Sequence, residues 1–259
     1  MLLAIDIGNT NIVFGVRKHK EWIKHWRIQT DQLKTADEYK VIFRSLLKTG
    51  KIVRSEISDI VLSSVVPSLV RPFVEMLEEL ILNAKIVVIN PEIYHKLPIK
   101  ILNPYEIGTD LVANAVAAFQ KFGKQTMVID FGTALTFTTI GKNSEILGVA
   151  IAPGLKTAVG ALAGKTAQLP QIHLTPPPSI LGKNTIQAIQ AGIVFGFAGL
   201  VDSIIEQTQN ELNEELNIVA TGGLYSVIAP LTKHVKNTCK MLTLDGLYHI
   251  HSFVSEKKL

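Results

Sequence analysis

The stretch AIDIGNTN, residues 4–11, ends an apolar run on a carboxylate and follows it at once with a glycine and small polar residues, and VIDFGTALT, residues 128–136, repeats the construction. A tight turn after a strand accounts for Gly8 and Asn9 but not for Asp6. Successive backbone N–H groups in such a turn can hold an anion, and glycine lets the anion come close. A carboxylate beside an anion needs a cation between them, and magnesium suits that place because it takes one or two carboxylates and completes its shell with phosphate oxygens. Each turn alone is equally a hairpin whose Asp side chain bonds the local backbone. Two of them, each opening a similar half of the chain, favour phosphate binding.

Working outward, residues 2–7, 12–17 and 22–28 read as three consecutive strands, an antiparallel meander. ADEYKVIFRSLLKTG then places Tyr39, Ile42, Phe43, Leu46 and Leu47 at helical spacing, with Gly50 as its cap. DIVLSSVV is a strand, Pro67 opens a helix, and KIVVI is another strand. From residue 126 the pattern restarts: strands TMVID, LTFTTI and ILGVAIA, helices over 154–163 and 184–209, strand NIVAT, a short helix after GGL, and a strand KMLTL. Residues 164–183 carry four of the eleven prolines and read as a long surface loop. A repeated β-β-β-α-β-α order led by Asp-x-Gly points to an α/β fold of two ribonuclease-H-like domains, each a mixed five-stranded sheet with helices. The expected domains are 1–115 and 116–259, joined by the helix DLVANAVAAFQKF.

The composition excludes several classes. Cys239 is the only cysteine among 259 residues, so neither an intrachain disulfide nor a cysteine-rich zinc cluster can form. No uninterrupted apolar run approaches the roughly 20 residues that cross a bilayer, and Asp6 breaks the first apolar run before a signal-peptide core can form. A cytoplasmic protein without a membrane partner is expected. The net charge of +4 is mild, and RKHKEWIKHWR, residues 17–27, reads as a solvated sheet edge, so no nucleic-acid partner is expected. The usual nucleotide fingerprints, G-x-x-x-x-G-K-[ST] and G-x-G-x-x-G, do not occur.

NPYEIGTDLVANAV, residues 103–116, adds another carboxylate. Thr109 can cap a helix, with Asp110 in the first turn where the helix dipole favours its charge. The same Asp110 is a candidate general base for a substrate hydroxyl. TGGL, residues 221–224, follows a strand and precedes a helix, where glycine allows a close approach to a base or sugar.

These residues in this order, with SSVVPSL, APGLKTAVGALAGKTAQLP, GKNTIQAIQAG and LTLDGL, resemble the type III pantothenate kinases of bacteria, members of the acetate and sugar kinase, heat-shock ATPase and actin superfamily. The resemblance runs nearly end to end. It implies an actin-like ATPase fold and transfer of the ATP γ-phosphoryl group to pantothenate, giving 4'-phosphopantothenate. It also implies that Asp6, Gly8, Asn9, Thr10, Asn11, Ile12, Val13 and Thr133 contact ATP, with Asp6 at magnesium. Asp110 is then the proton acceptor, Asp130 the ligand of a monovalent cation (potassium or ammonium), and Tyr105, Gly108, Thr109, Asp110, Leu111 and Thr185 lie at the substrate. A homodimer is implied, with the helix around Ile186 to Phe197 as the interface.

The family commonly reads Gly-Ala-Asp-Arg where this chain has Gly-Thr-Asp-Leu at 108–111. Leu111 cannot offer an arginine's donor fork, so either Lys156, Lys165 or Lys183 compensates or activity is weaker. Two rival readings stay open: a kinase of another small hydroxylated substrate, and a non-catalytic nucleotide-binding or accessory regulatory homologue.

Overall fold

A computed structural model describes residues 1–165 and 172–255, and the side chains of residues 163–165, including that of Lys165, lie outside the described part. Two compact units emerge: Met1–Ala117 together with the chain from Leu242 onward, and Ala118–Met241.

In the first unit, β1 (Leu2–Ile7), β2 (Asn11–Lys18) and β3 (Glu21–Gln29) form the expected meander, and β4 (Asp59–Ser64) and β5 (Lys85–Val88) extend it in parallel. The sheet order is β3-β2-β1-β4-β5. β1 is central and, apart from Asp6, its LLAIDI side chains are buried, as for a strand covered on both faces. Helix α1 (Ala36–Thr49) begins at a capping box: Thr35 accepts from the Glu38 N–H and Glu38 reaches back to the Thr35 N–H. Its Tyr39, Phe43 and Leu47, four residues apart, lie on one buried face. Helix α2 (Pro67–Leu80) starts on Pro67, whose missing N–H is not needed at that position. In the core Phe14 stacks on Phe43, and Phe43 meets Phe73 edge to face.

Helix α3 (Thr109–Phe122) carries the unit boundary after Ala117. In the second unit, β6 (Thr126–Phe131), β7 (Ala134–Ile140), β8 (Ile146–Pro153), β9 (Asn217–Gly222) and β10 (Asn237–Thr238) give the order β10-β9-β6-β7-β8. This is the first sheet's order again, strand for strand. α4 (Leu155–Lys165), α5 (Thr185–Leu212) and α6 (Tyr225–Ile228) complete the unit. The 28-residue α5 is long and apolar enough by length and composition to cross a bilayer. Its Val194, Val201 and Ile205 are fully buried in the core of this unit instead.

Two readings need correction. KMLTL is not a strand: the last strand is the two-residue β10, and α7 (Leu242–Val254) begins inside the stretch. The chain from Leu242 also packs with the first unit, so the expected boundaries 1–115 and 116–259 do not coincide with the compact units. The reason is a set of contacts that only the folded chain brings together. A Cβ on Gly246 would collide with the Ala113 carbonyl, so α7 meets α3 backbone against backbone. Thr243 donates to Asn114 Oδ1 at 2.8 Å, and the Trp22 indole N–H donates to Asp245 at 2.7 Å. Arg17 pairs with the same Asp245 at 3.4 Å and stacks on the Tyr248 ring. The buried His251 and Asp59 approach to 3.4 Å at the start of β4.

Candidate functional site

Register makes the two carboxylates equivalent. Asp6 is the penultimate residue of β1 and lies beside Ser63 of the parallel β4, while Asp130 is the penultimate residue of β6 and lies beside Thr221 of the parallel β9. Both are half-buried at the end of a central strand. The turns that follow differ in length: Ile7 pairs with Ile12, whereas Phe131 pairs with Leu135, so the second is one residue shorter.

In each turn the carbonyl oxygens are tied down within their own unit. The Gly8 carbonyl accepts from the Thr30 hydroxyl at 2.7 Å and the Thr10 carbonyl from the Thr30 N–H at 2.9 Å. The Thr133 carbonyl accepts from the Gly154 N–H at 3.0 Å and from the Thr157 hydroxyl at 2.7 Å. Bonds of this kind turn the negative ends of the peptides away from the place an anion would take. Thr30 and Thr157 were not legible as site residues in the sequence: Thr30 belongs to no motif, Thr157 sits in the APGLKT stretch without a role of its own, and each acts on a turn more than twenty residues away. Of the ATP candidates, Asn9, Thr10, Asn11 and Thr133 are exposed, Gly8 and Val13 half-buried and Ile12 buried.

The first unit also holds Asp110, on the opening turn of α3. Its Oδ1 accepts the Leu111 N–H at 2.8 Å. Burial raises its pKa above the ordinary aspartate value, and backbone N–H groups of Leu111 and Asp110 hold the rise back. Gly108 has no room for a side chain, since a Cβ there would stand 2.5 Å from Asp110 Oδ1. Next to the carboxylate, Thr109 Oγ1 lies 2.9 Å from Ser63 Oγ, and Ser63 donates to Asp6 Oδ1 at 3.0 Å. Asp6 is therefore joined through Ser63, a fully buried residue of the SSVVPSL stretch, to Thr109, the residue before Asp110. The buried Tyr94 hydroxyl has no hydrogen-bond partner, and its pKa is pushed up to about 12, first by burial and then by the charge of Asp110.

Leu111 is buried in the first turn of α3. An apolar packing role accounts for it. Tyr105 is 86% exposed in the loop before α3. Thr185, in the second unit, opens α5 behind Asn184, whose side chain caps the helix by accepting the Gln187 N–H at 2.9 Å. Lys156 stands in the first turn of α4 and Lys183 is exposed ahead of α5.

Among the described residues no three His, Cys, Asp or Glu side chains gather to hold a metal ion. A lone carboxylate is nevertheless a suitable donor for magnesium, which keeps waters and phosphate oxygens in its shell. Gly222, at φ +92°, has a backbone shape that other residues rarely adopt, and a Cβ there would sit 2.5 Å from Asp130 Oδ1. The glycine lets the end of β9 lie directly against the Asp130 carboxylate and the Phe131 backbone.

Comparison with known proteins gives the family of the chain. The family model described as "Type III pantothenate kinase" matches residues 2–207. A type III pantothenate kinase from Geobacter sp. (strain M21) is 42% identical over 251 residues, covering 97% of this chain and 98% of its own. One from Moorella thermoacetica is 44% identical over 247 residues, covering 95% and 97%. Among solved structures, component A of the (R)-2-hydroxyglutaryl-CoA dehydratase of Acidaminococcus fermentans superposes with a TM-score of 0.57 at 14% identity, covering 99% of both chains. That likeness speaks for the two-domain actin-like ATPase fold alone.

Proposed function

The chain belongs to the type III pantothenate kinases, and on that premise we propose how its residues divide the reaction. It is an ATP-dependent phosphotransferase acting on pantothenate, the first step toward coenzyme A. The observation that carries the residue assignment is the equivalence of Asp6 and Asp130, each closing a central strand ahead of a glycine turn whose carbonyls are bonded away.

Asp110 accepts the proton of the primary hydroxyl as its oxygen attacks the γ-phosphorus and the bond to ADP breaks. A carboxyl whose pKa burial has raised is a better base than an ordinary aspartate. Its Oδ1 is steadied by the Leu111 N–H, which leaves the other oxygen for the acceptor. The turn from Gly8 to Val13 binds the nucleotide, and Thr133 is an ATP contact expected from the family. Asp6 would hold magnesium, which when bound offsets phosphate charge. Asp130 would hold potassium or ammonium, as expected from the family. Tyr94 offers a buried, unpartnered hydroxyl near the base, and we assign it to hydrogen bonding with the acceptor. Gly108, Leu111 and Tyr105 complete the acceptor's surroundings as expected from the family, and Thr185 is the second unit's candidate. The enzyme is cytoplasmic in this reading.

A homodimer is part of the same proposal. The edge strand β8 exposes Leu147, Val149 and Ile151 at alternate positions, one apolar face, and Ile186 is exposed at the start of α5. The inward residues Ala191, Ile193 and Val194 of the candidate helix 186–197 already serve the core of their own unit. Coupled measurement of ADP release with and without pantothenate tests the enzymatic reading, and ADP release indifferent to pantothenate contradicts it.

A further inference from the structure

We propose that the hydroxyls of Thr109 and Ser63 form a relay that positions the Asp6 carboxylate relative to the helix turn carrying Asp110, so that Thr109 serves the reaction through Asp6 and not by touching the acceptor. The inference rests on the kinase roles assigned above to Asp6 and Asp110.

Proton counting sets the direction of the relay. A serine hydroxyl has one proton to donate and lone pairs to accept with. Ser63 gives its proton to Asp6 Oδ1 at 3.0 Å, so in the 2.9 Å contact with Thr109 it must be the acceptor and Thr109 the donor. The order is Thr109 to Ser63 to Asp6. Ser63 is fully buried and lies beside Asp6 in the β1–β4 register, so its own hydroxyl is kept from solvent between two half-buried partners. At the far end, Thr109 is the first residue of α3 and is directly followed by Asp110. A single buried hydroxyl thus ties the strand end that would face magnesium to the turn that presents the base. The chain departs from the family's common Gly-Ala-Asp-Arg at this point, and an alanine at 109 could not donate to Ser63. Thr109 is therefore explained by what it bonds, without any contact to substrate.

Three variants test the relay: Thr109→Val, which keeps the side-chain shape and loses the O–H; Ser63→Ala; and Thr109→Ser, which keeps the donor. Turnover is read against pantothenate and against magnesium, and magnesium-dependent binding of ADP is measured by calorimetry without any acceptor. Ser63 bonds a charged carboxylate, so Ser63→Ala should lower kcat about tenfold or more, whereas Thr109 bonds a neutral hydroxyl and Thr109→Val should lower it by a smaller factor, about three- to tenfold. They should also weaken magnesium-dependent ADP binding and leave the pantothenate KM unchanged, while Thr109→Ser recovers most of the loss. Because both hydroxyls lie in one chain, the double variant should be little worse than the more severe single one. A raised pantothenate KM at unchanged kcat makes Thr109 an acceptor contact and overturns the relay. So do losses that multiply in the double variant, or melting points that fall while kcat and ADP binding stay at parental values. A parent that binds ADP with magnesium yet does not phosphorylate pantothenate defeats the kinase reading instead, and the ADP-binding comparison still decides the relay.

Discussion

Replacing Asp110 with asparagine separates catalysis from architecture. The asparagine amide oxygen can still accept the Leu111 N–H that Asp110 Oδ1 accepts at 2.8 Å, and its shape still suits the close approach that excludes a side chain at Gly108. What disappears is the charge and the ability to take a proton. General-base contributions run to about 10²- to 10⁴-fold, about 3 to 5.5 kcal/mol of barrier. Stability moves the other way. Burial raises the Asp110 pKa above its unfolded value. Below the ordinary aspartate pKa both states are protonated and the group contributes nothing. As pH rises through that value the unfolded chain ionises first, and the folded state is penalised. Asp110→Asn should therefore unfold at higher urea than the parent at neutral pH, and the advantage should vanish at about pH 3, below the usual aspartate pKa. Rapid-quench single turnovers and urea titrations at the two pH values provide the readings. Near-parental turnover in a folded Asp110→Asn protein refutes the base assignment, and a variant less stable than the parent at neutral pH refutes the electrostatic reasoning.

At Asp130, turnover with magnesium held constant should rise when sodium is replaced by potassium or ammonium, and equal rates in all three remove the cation from that carboxylate. Gly222→Ala forces a side chain into a φ of +92° and against Asp130 Oδ1 and the Phe131 backbone, a strain on the order of 1–3 kcal/mol or more; urea unfolding should show the loss, and potassium activation should weaken with it. Leu111→Arg places a charge where a buried leucine packs and should cost on the order of 3 kcal/mol while lowering catalytic efficiency; an efficiency gain would show that a positive group is missing there. Tyr94→Phe removes a buried hydroxyl that has no partner among the described residues, so the melting point should hold or rise while the pantothenate KM increases; an unchanged KM takes Tyr94 out of the acceptor site.

The fold was legible where one segment carries its own period. LLAIDI and TMVIDF read as buried strands because each is apolar on both faces, and their Asp-x-Gly endings located the two equivalent turns and the duplication. Helix α1 was legible from Tyr39, Phe43 and Leu47 at four-residue spacing. α7 was not, because KMLTL looks like a strand until Gly246, Thr243 and Asp245 meet partners on α3 and β3 that no local pattern announces. The same limit applied to the site. Asp6, Asp110 and Asp130 sit in motifs, whereas Ser63, Thr30 and Tyr94 reach the site through strand register, a distant turn and burial. The one trace of Ser63 in the sequence was a serine at the strand end, in the SSVVPSL stretch that carried the resemblance but not a role.

The most direct measurement is phosphorus NMR of the product formed from pantothenate, ATP, magnesium and potassium. Pantothenate has a primary and a secondary hydroxyl, and the phosphorus of the ester couples to the protons of whichever carbon bears it. A new phosphate ester coupled to the methylene of the primary carbon, formed in proportion to ADP and lost with Asp110→Asn, is the result this account predicts. ADP formed without any pantothenate ester, or a phosphorus coupled to the secondary methine, contradicts it.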